Sequence, residues 1–250
     1  MKDKQTIKRE FQEHGYVLIP GFLSQEEVTE ISKNFNRVIK DVVPKMPSNV
    51  VFYEGMESPE TLKQLIDLHV HDSFFNDVLT ESRFKDIAEF LLDDEVIGKN
   101  LEYFNKPAKI GKPTPPHQDG YYFMLDPNVA VTMWMALEPA DDENGSVKYV
   151  KGSHLNGMRT HGRTTTLGFS QGITDYGTED DQANLVNMNA KPGDLLIHHS
   201  LTVHLAGANK SETRSRKALG LVYFGKSAKE DLVAKEAYQK RLEAERLANA

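Results

Sequence analysis

The pattern of hydrophobic and polar positions divides the chain into two parts. In the first part, to about residue 98, apolar residues such as Ile7 and Phe11 recur between polar ones at helical spacing. Ser24 stands three residues before Glu27, which is the spacing of a capping box at a helix start. The pattern predicts a strand at residues 16–20 and helices at residues 3–14, 24–40, 59–69 and 83–92.

The second part, after about Gly98, has a different pattern. Short apolar runs alternate with turns rich in Gly, Pro and Asp, and Asn144-Gly145 is a turn signal. Several short strands separated by turns are typical of a sandwich or a closed jelly roll. The strands are predicted at residues 100–106, 129–137, 146–150, 185–189, 194–200 and 217–224.

The chain ends in a charged segment that predicts a helix over about residues 227–249. This helix is either a solvated packing helix or a dimer contact, so the sequence leaves the choice between monomer and homo-oligomer open. No internal repeat or low-complexity linker interrupts the chain. We therefore expect one domain over residues 1–250, with a helical part to about residue 98 and a β-rich core over about residues 99–225.

Composition narrows the possible functions. The formal net charge of −7 disfavours general binding to nucleic acid. The absence of cysteine excludes disulfides and thiolate chemistry, so a metal site would have to use His, Asp and Glu. No apolar run has the length needed to cross a bilayer, and the first residues lack the apolar core of a signal peptide. A cytoplasmic location without a membrane partner is the resulting expectation.

The first candidate metal ligands are His117 and Asp119, in the segment TPPHQDGYYF. Residues two apart on an extended chain face the same side, so an imidazole nitrogen and a carboxylate oxygen could converge on one cation. An isolated His-x-Asp tripeptide is also common in surface turns. The motif alone therefore decides nothing.

The segment GDLLIHHSLTVHLAGANKS adds three histidines. His198 and His199 lie within an apolar strand, where a hydrogen-bonded core histidine is the ordinary interpretation. His204 lies beyond the strand end, where ligands usually sit. Two histidines and one carboxylate form a facial triad that leaves coordination positions open and suits Fe(II), although three such ligands could also hold catalytic zinc.

Four segments together carry a resemblance to a known family. In chain order they are EFQEHGYVLIPGFLSQEEV, FNKPAKIGKPTPPHQDG, VTMWMALEPADDENGSVKYVKGSH and PGDLLIHHSLTVHLAGANKSETRSRKA. They resemble the phytanoyl-CoA dioxygenase family of Fe(II)/2-oxoglutarate-dependent oxygenases. The Pro-His-Gln-Asp run makes the sequence most similar to the branch of phytanoyl-CoA dioxygenase domain-containing proteins.

The resemblance implies a fold and an activity. The implied fold is mainly β with flanking helices, a double-stranded β-helix of the cupin-like jelly-roll type. The implied cofactors are Fe(II), 2-oxoglutarate as co-substrate, and O2, with His117, Asp119 and His204 as the catalytic metal ligands. The implied reaction hydroxylates a small-molecule substrate and converts 2-oxoglutarate to succinate and CO2.

A dicarboxylate co-substrate needs a cation, and arginine offers a planar bidentate partner. The family's pattern for this residue matches Arg216-Lys217-Ala218. The chain carries one additional residue before this point, so Arg214 is the second candidate. The family's pocket-lining tryptophan corresponds to Trp134, for which core packing is an equally good interpretation.

Two positions depart from the family's pattern. Ala206 stands where members often have a serine that touches the co-substrate. Glu102 stands where members of the branch often have an apolar residue. On an alternating strand Glu102 shares a face with Phe104 and Lys106, so it either faces inward with a function or pairs with Lys106.

The substrate is least determined by the sequence. Residues 157–177 form a long segment rich in Gly and Thr, either a lid or a mobile solvated loop. Arg159, His161 and Arg163 within it could bind an anionic substrate, whereas an inward Glu102 would favour a cation.

Two alternative functions stay open. One is a cupin-like metal enzyme that does not use 2-oxoglutarate, and the other is a non-catalytic metal- or ligand-binding module on the same fold. Arg216 separates the first alternative from the dioxygenase, because only a 2-oxoglutarate enzyme needs that cation, whereas the intact triad speaks against the second without excluding it.

Overall fold

The structure is a computed structural model that describes residues 3–56, 58–166 and 169–248. The helices are α1 Lys4–His14, α2 Gln25–Asp41, α3 Leu68–His71, α4 Ser73–Thr80, α5 Arg83–Leu92, α6 Gly120–Phe123, α7 Glu179–Ala183 and α8 Leu232–Ala248. Three 3-10 turns lie at Val43–Lys45, Pro59–Thr61 and Ser153–Asn156.

The strands fall into a large antiparallel sheet, a small one and two short pairs. They are β1 Tyr16–Ile19, β2 Val51–Tyr53, β3 Leu62–Leu65, β4 Val96–Lys106, β5 Thr114–His117, β6 Leu125–Asp126, β7 Ala130–Ala136, β8 Val147–Val150, β9 His161–Thr166, β10 Phe169–Ile173, β11 Leu185–Met188, β12 Leu195–His199, β13 His204–Ala206, β14 Arg216–Gly225 and β15 Lys229–Glu230. The large sheet has the order β1-β12-β7-β14-β4-β3-β2 and the small one β11-β8-β13-β5. The short pairs are β9 with β10 and β6 with β15.

Both faces of the large sheet are covered. One face packs against α1, α2, α4 and α5 in a hydrophobic core that includes Phe11, Phe35 and Phe75. The other face packs against the small sheet, where Trp134 and Leu196 meet Tyr149 in a second core. Two sheets packed face to face with helices outside confirm the prediction of a mainly β fold with flanking helices.

Local signals explain the first helices. The side chain of Asp3 accepts a hydrogen bond from the Thr6 amide at 3.0 Å at the start of α1. The predicted capping box of α2 is present, with Ser24 and Glu27 bonding each other's backbone amides. Each cap satisfies amides that the first helical turn leaves without partners.

The prediction of a helix at residues 59–69 is wrong. A 3-10 turn there leads into β3, which pairs with β4 and places Leu62 and Leu65 fully out of contact with water. Pairing and burial decide the conformation of so short an apolar run, which periodicity alone does not. The first hundred residues are also less helical than expected, because β2 and β3 join the large sheet beside the predicted strand β1.

The segment 157–177 is not a structureless loop, which corrects a second prediction. Strands β9 and β10 pair within it as an antiparallel hairpin. Residues 167 and 168, between the two strands, lie outside the described residues. The Gly and Thr content that indicated a loop is compatible with a short hairpin, because threonine favours strands.

The predicted turn at Asn144-Gly145 is confirmed. Gly145 has a φ of +83°, and a Cβ atom added there would lie 2.4 Å from the carbonyl oxygen of Gly207. A side chain at this position would therefore meet both backbone strain and a clash. The turn brings β8 into register beside β13.

The C-terminal helix begins later than predicted, because β15 pairs with β6 before α8 starts at Leu232. The hydroxyl of Tyr238 hydrogen-bonds the Ser170 hydroxyl on β10, and its ring centroid lies 6.4 Å from that of Tyr122. These contacts favour a packing helix, while a dimer contact stays untested.

Of the helices in the described part of the chain, none combines the length and the apolar character needed to cross a membrane.

Candidate metal centre and adjoining cavities

The three candidate metal ligands come together across a strand pair that sequence analysis did not predict. His117 ends β5, His204 begins β13, and the two are direct partners in the antiparallel register. Asp119 follows His117 by two residues, immediately before α6. Since directly paired residues have neighbouring side chains, the register alone brings the two imidazoles together.

The ligand atoms converge on one point. Oδ1 of Asp119 lies 3.4 Å from Nε2 of His117 and 3.5 Å from Nε2 of His204. One ligand atom from each of the three residues lies within 4.8 Å of the others. Both histidines are buried, while the Asp119 side chain keeps 14% of its surface exposed. This spacing suits a single metal ion held by two nitrogens and one oxygen.

The histidine tautomers are fixed by backbone carbonyls. Nδ1 of His117 lies 2.8 Å from the carbonyl oxygen of Pro115, and Nδ1 of His204 lies 3.0 Å from that of Thr202. A carbonyl can only accept, so each Nδ1 carries the proton and donates it. Each Nε2 then presents its lone pair toward Asp119, which is the arrangement a metal ligand needs.

The second carboxylate oxygen of Asp119 is held by neighbouring strands. Oδ2 accepts hydrogen bonds from Thr132 Oγ1 at 2.5 Å and from His198 Nε2 at 3.0 Å. The hydroxyl of Tyr149 donates in turn to Nδ1 of His198 at 2.9 Å. These contacts orient the carboxylate so that Oδ1 faces the two candidate histidine ligands.

His198 is buried and hydrogen-bonded, as expected of a core histidine, but its partner is the candidate ligand Asp119. Sequence analysis therefore missed its place in the site, and that of Thr132. The register pairs His198 of β12 directly with Thr132 of β7. The sequence did hold a signal for both residues. Thr132 and His198 are polar residues in otherwise apolar strands, and each is two positions away from a core residue on the same face, Trp134 or Leu196. His199, on the opposite face, packs against Phe11.

The protonation states suit metal binding. Burial by itself would raise the pKa of Asp119, but the adjacent histidines, His204 first and then His117 and His198, outweigh it and hold the pKa well below its ordinary value. Burial lowers the pKa of His204 well below its ordinary value, since it disfavours the charged ring. The site thus offers an anionic carboxylate and a neutral imidazole.

A cavity that we call the arginine cavity adjoins the candidate ligands. It is lined by His117, Asp119 and His204 together with Thr114, Trp134 and Arg216. Trp134 is both a core residue and a wall of this cavity, and its contact with a co-substrate stays a prediction.

Arg216 is a buried cation with an unused hydrogen-bond donor among the described residues. The guanidinium lies 5.1 Å from the ring centroid of Trp134, and its buried Nε has no hydrogen-bond partner. Within the described ranges no carboxylate forms an ion pair with it. Burial lowers the pKa of Arg216 to about 10, so it stays charged at neutral pH. A buried arginine without a counter-ion indicates a site for an anionic ligand.

Arg214 is placed elsewhere. Its guanidinium bonds both carboxylate oxygens of Asp141, at 2.8 and 3.0 Å, and also bonds Glu143. The side chain is partly exposed and does not line the arginine cavity. Of the two arginines considered from the sequence, only Arg216 faces the candidate metal centre.

Ala206 also lines the arginine cavity and lacks the hydroxyl expected there. Its direct partner in the strand register is Thr114, whose side chain lines the same cavity. The chain therefore places a hydroxyl on the neighbouring strand instead.

A second cavity, which we call the glutamate cavity, lies on the other side of the candidate ligands. Its walls include Gln64, Glu102 and Phe104, with Tyr122 and Phe123 of α6. It shares Phe104, Thr132, His117 and Asp119 with the arginine cavity. The candidate metal position therefore lies between the two.

Glu102 faces inward, and the alternative pairing with Lys106 is wrong. Its Oε2 accepts from Gln64 Nε2 at 2.7 Å, and its Oε1 from Asn100 Nδ2 at 2.5 Å. The Lys106 ammonium instead bonds the carbonyl of Lys112 and lies 3.4 Å from Thr114 Oγ1.

The basic cluster expected to bind an anionic substrate has other partners. Arg159 pairs with Asp181 at 2.7 Å and with Asp175 at 3.0 Å. Nδ1 of His161 bonds the Arg159 carbonyl, and its Nε2 accepts from the Gln118 amide. These pairings hold Arg159 and His161 within the β9–β10 region, and the anionic substrate stays a prediction.

A jelly roll with two histidines and a carboxylate at one point, beside a cavity with a buried arginine, defines the class of iron- and 2-oxoglutarate-dependent oxygenases. Residues 11–218 match the sequence profile of the phytanoyl-CoA dioxygenase (PhyH) family. The chain belongs to that family, as predicted, and it is an enzyme of this class that hydroxylates a small molecule with Fe(II), 2-oxoglutarate and O2.

Among similar proteins is the peroxisomal phytanoyl-CoA dioxygenase of Mus musculus. It is 27% identical over 232 residues, which are 87% of this chain and 67% of the mouse protein. The chain spans about two thirds of the length of the mammalian relatives it matches.

Solved structures with the same fold include SnoN, an epimerase crystallised with Fe3+, alpha-ketoglutarate and nogalamycin RO. The TM-score is 0.71 at 24% identity, covering 90% of this chain and 84% of SnoN. EctD from S. alaskensis, crystallised with 2-oxoglutarate and 5-hydroxyectoine, has a TM-score of 0.72 at 20% identity, covering 91% and 77%. These likenesses confirm the predicted jelly-roll fold.

Proposed function

We propose that His117, Asp119 and His204 hold the Fe(II) of this dioxygenase and that Arg216 binds 2-oxoglutarate. The observation that carries the proposal is the convergence of Asp119 Oδ1 with two histidine Nε2 atoms beside a buried arginine that forms no ion pair with any described residue. The donor set is that of a non-haem iron site, and the unpaired guanidinium fits a dicarboxylate.

The iron, when bound with 2-oxoglutarate, supplies the oxidising chemistry that hydroxylates the substrate while the co-substrate becomes succinate and CO2. The chain's residues position and shield these groups. Pro115 and Thr202 fix the imidazole tautomers, and Thr132 and His198 hold the Asp119 carboxylate so that Oδ1 serves as the ligand atom.

Arg216 would bind a carboxylate of 2-oxoglutarate. Trp134 packs against the guanidinium and keeps it in place. Because the cavity is buried, the attraction between the two charges is stronger than it would be in water. The same cation disfavours a metal enzyme without 2-oxoglutarate, since such an enzyme does not need it.

The substrate occupies the glutamate cavity, on the side of the metal away from Arg216. The cavity shares His117 and Asp119 with the arginine cavity, so a small molecule there would lie beside the metal. We also take residues 1–250 as one domain, supported by a core cluster that runs from Ile7 to Tyr223. The cytoplasmic location stays a prediction, and the oligomeric state stays open.

Anaerobic titration tests the ligand assignment. The protein with Fe(II) and 2-oxoglutarate should develop the weak visible charge-transfer band of the chelate. His204→Ala should lose this band, and a control that removes the partly exposed His14 (His14→Ala) should keep it. A band of normal strength in His204→Ala would show that the ligands are assigned wrongly.

A further inference from the structure

Glu102 is the acidic group of the glutamate cavity that the proposed iron site does not use. It lies on β4, opposite Gly220 of β14, and both residues line the cavity. A side chain at Gly220 would meet the Phe104 ring, since an added Cβ atom would lie 2.5 Å from it. The glycine thus leaves room for the Phe104 ring beside the carboxyl group.

The hydrogen bonds of this carboxyl group are incomplete. Gln64 and Asn100 each donate one bond to it, whereas a carboxylate can accept about four. Oε1 of Gln64 is buried and has no hydrogen-bond partner in the described part of the chain, although Gln64 lines the cavity. A ligand that donates several hydrogen bonds would satisfy both groups.

The charge of the cavity favours a cation as that donor. Among the described residues that line it, Glu102 and Asp119 are acidic and none is lysine or arginine. Burial raises the pKa of Glu102 to about 8, and the neighbouring Asp119 adds to this shift. Burial therefore disfavours the ionised form of Glu102 in the empty cavity, and a bound cation would compensate the carboxylate and stabilise that form.

The aromatic walls point to the same ligand. Phe104, Tyr122 and Phe123 line the cavity with Glu102. Aromatic faces attract cations, and together with a carboxylate they form a common setting for an ammonium group. An anion would meet two carboxyl groups here, because Arg159 is paired with Asp175 and Asp181.

We propose that Glu102, with the Gln64 carbonyl, selects a small-molecule substrate that carries a cationic nitrogen, and that this group binds in the glutamate cavity beside the iron site. The inference rests on the proposed function, because it takes this cavity as the substrate side. Glu102 is a specificity residue here and does not bind the metal.

A set of three probes of equal length tests the proposal: n-hexylamine, 1-hexanol and hexanoate. Their affinities are measured by calorimetry without O2, on protein loaded with Fe(II) and 2-oxoglutarate. Wild type should bind hexylamine at least about tenfold more tightly than either of the other probes. If wild type binds hexylamine no more tightly than 1-hexanol or hexanoate, the proposal is contradicted before any variant is tested.

Variants then locate the preference. Glu102→Gln, which keeps the shape, should reduce hexylamine affinity at least about tenfold and leave 1-hexanol unchanged. Glu95→Gln removes an equal charge at an exposed ion pair with Lys226 and should change nothing. Retained amine preference in Glu102→Gln overturns the assignment.

The visible chelate band distinguishes two kinds of failure. A normal band in wild type without amine preference rejects the substrate inference alone. No band in wild type with Fe(II) and 2-oxoglutarate rejects the proposed function itself.

Discussion

At the scale of single residues, Asp119 shows how the site is oriented. One oxygen faces His117 and His204, while the other is held by Thr132 and His198. The two histidines are positioned differently, because hydrogen bonds to backbone carbonyls fix their tautomers. The carboxylate is therefore the ligand whose orientation depends most on neighbouring side chains.

His198→Ala should weaken Fe(II) affinity by about 10- to 100-fold, because it removes one of the two hydrogen bonds that orient Asp119. Fe(II) titration under anaerobic conditions gives the affinity. The neighbouring His199→Ala is the matched control, since His199 packs on the other face of the strand against Phe11. Equal losses in the two variants would show that the effect is structural.

Arg216→Ala should weaken 2-oxoglutarate binding about 100-fold, the loss expected when a shielded, charge-assisted bidentate contact is removed. Arg214→Ala should change it little, because Arg214 is bound to Asp141 and Glu143 at the surface. Calorimetry of 2-oxoglutarate with the metal-loaded protein measures both. A larger loss in Arg214→Ala would reverse the assignment.

Glu102 gives a stability prediction with a defined sign. The folded protein raises its pKa from 4.5 to about 8, so the folded state binds this proton more tightly than the unfolded chain does. The resulting stabilisation is complete below about pH 4.5 and is lost as the pH rises to about 8.

Denaturant unfolding of the metal-free protein measures this effect. The stability of Glu102→Gln relative to wild type should rise between pH 5 and about pH 8 and then level off, because glutamine does not titrate. A difference that stays constant over this range would show that Glu102 is ionised throughout.

At the scale of elements, pairing places the ligands where periodicity could not. The strands predicted at residues 100–106, 129–137 and 194–200 lie within or around β4, β7 and β12. Each predicted range has seven or more residues with several apolar side chains, which made these strands visible in the sequence. In contrast, β5 and β13 have four and three residues and exist through their pairing with each other and with β8. Runs this short do not show a clear alternation of polar and apolar residues. Sequence analysis therefore missed the two strands that hold the histidines.

The turn before β12 offers a test at this scale. Gly193 has a φ of +90°, and an added Cβ atom would lie 2.5 Å from the Leu23 carbonyl oxygen. Gly193→Ala should destabilise the protein by more than the roughly 1 to 2 kcal/mol that a left-handed alanine costs.

Gly21→Ala provides the matched control for that test, because Gly21 has a φ of +58° and no neighbouring atom within 4 Å. Gly21→Ala should lose only the stability that a left-handed alanine costs, with no additional loss from a steric clash. Denaturant unfolding compares the two variants, and equal losses would mean that the Leu23 contact adds nothing.

At the scale of the whole molecule, the sequence motifs predicted the family and the β-rich core, but less of the environment around the site. The ligand candidates could be chosen because His117 and Asp119 share a motif and His204 follows a predicted strand. Glu102 could not be assigned, since its neighbour Gln64 lies on β3, in a segment that was predicted as a helix. The pairing of Arg159 with Asp175 and Asp181 was likewise invisible, because it depends on how a hairpin packs.

Turnover with labelled oxygen tests the central claim most directly, and it needs no knowledge of the substrate if slow uncoupled reaction is followed. Wild-type protein with Fe(II), 2-oxoglutarate and 18O2 should form succinate that carries one labelled oxygen. Asp119→Ala, which lacks the anionic ligand, should form none. Unlabelled succinate from wild type, or labelled succinate from Asp119→Ala at the wild-type rate, would contradict a dioxygenase that works through His117, Asp119 and His204.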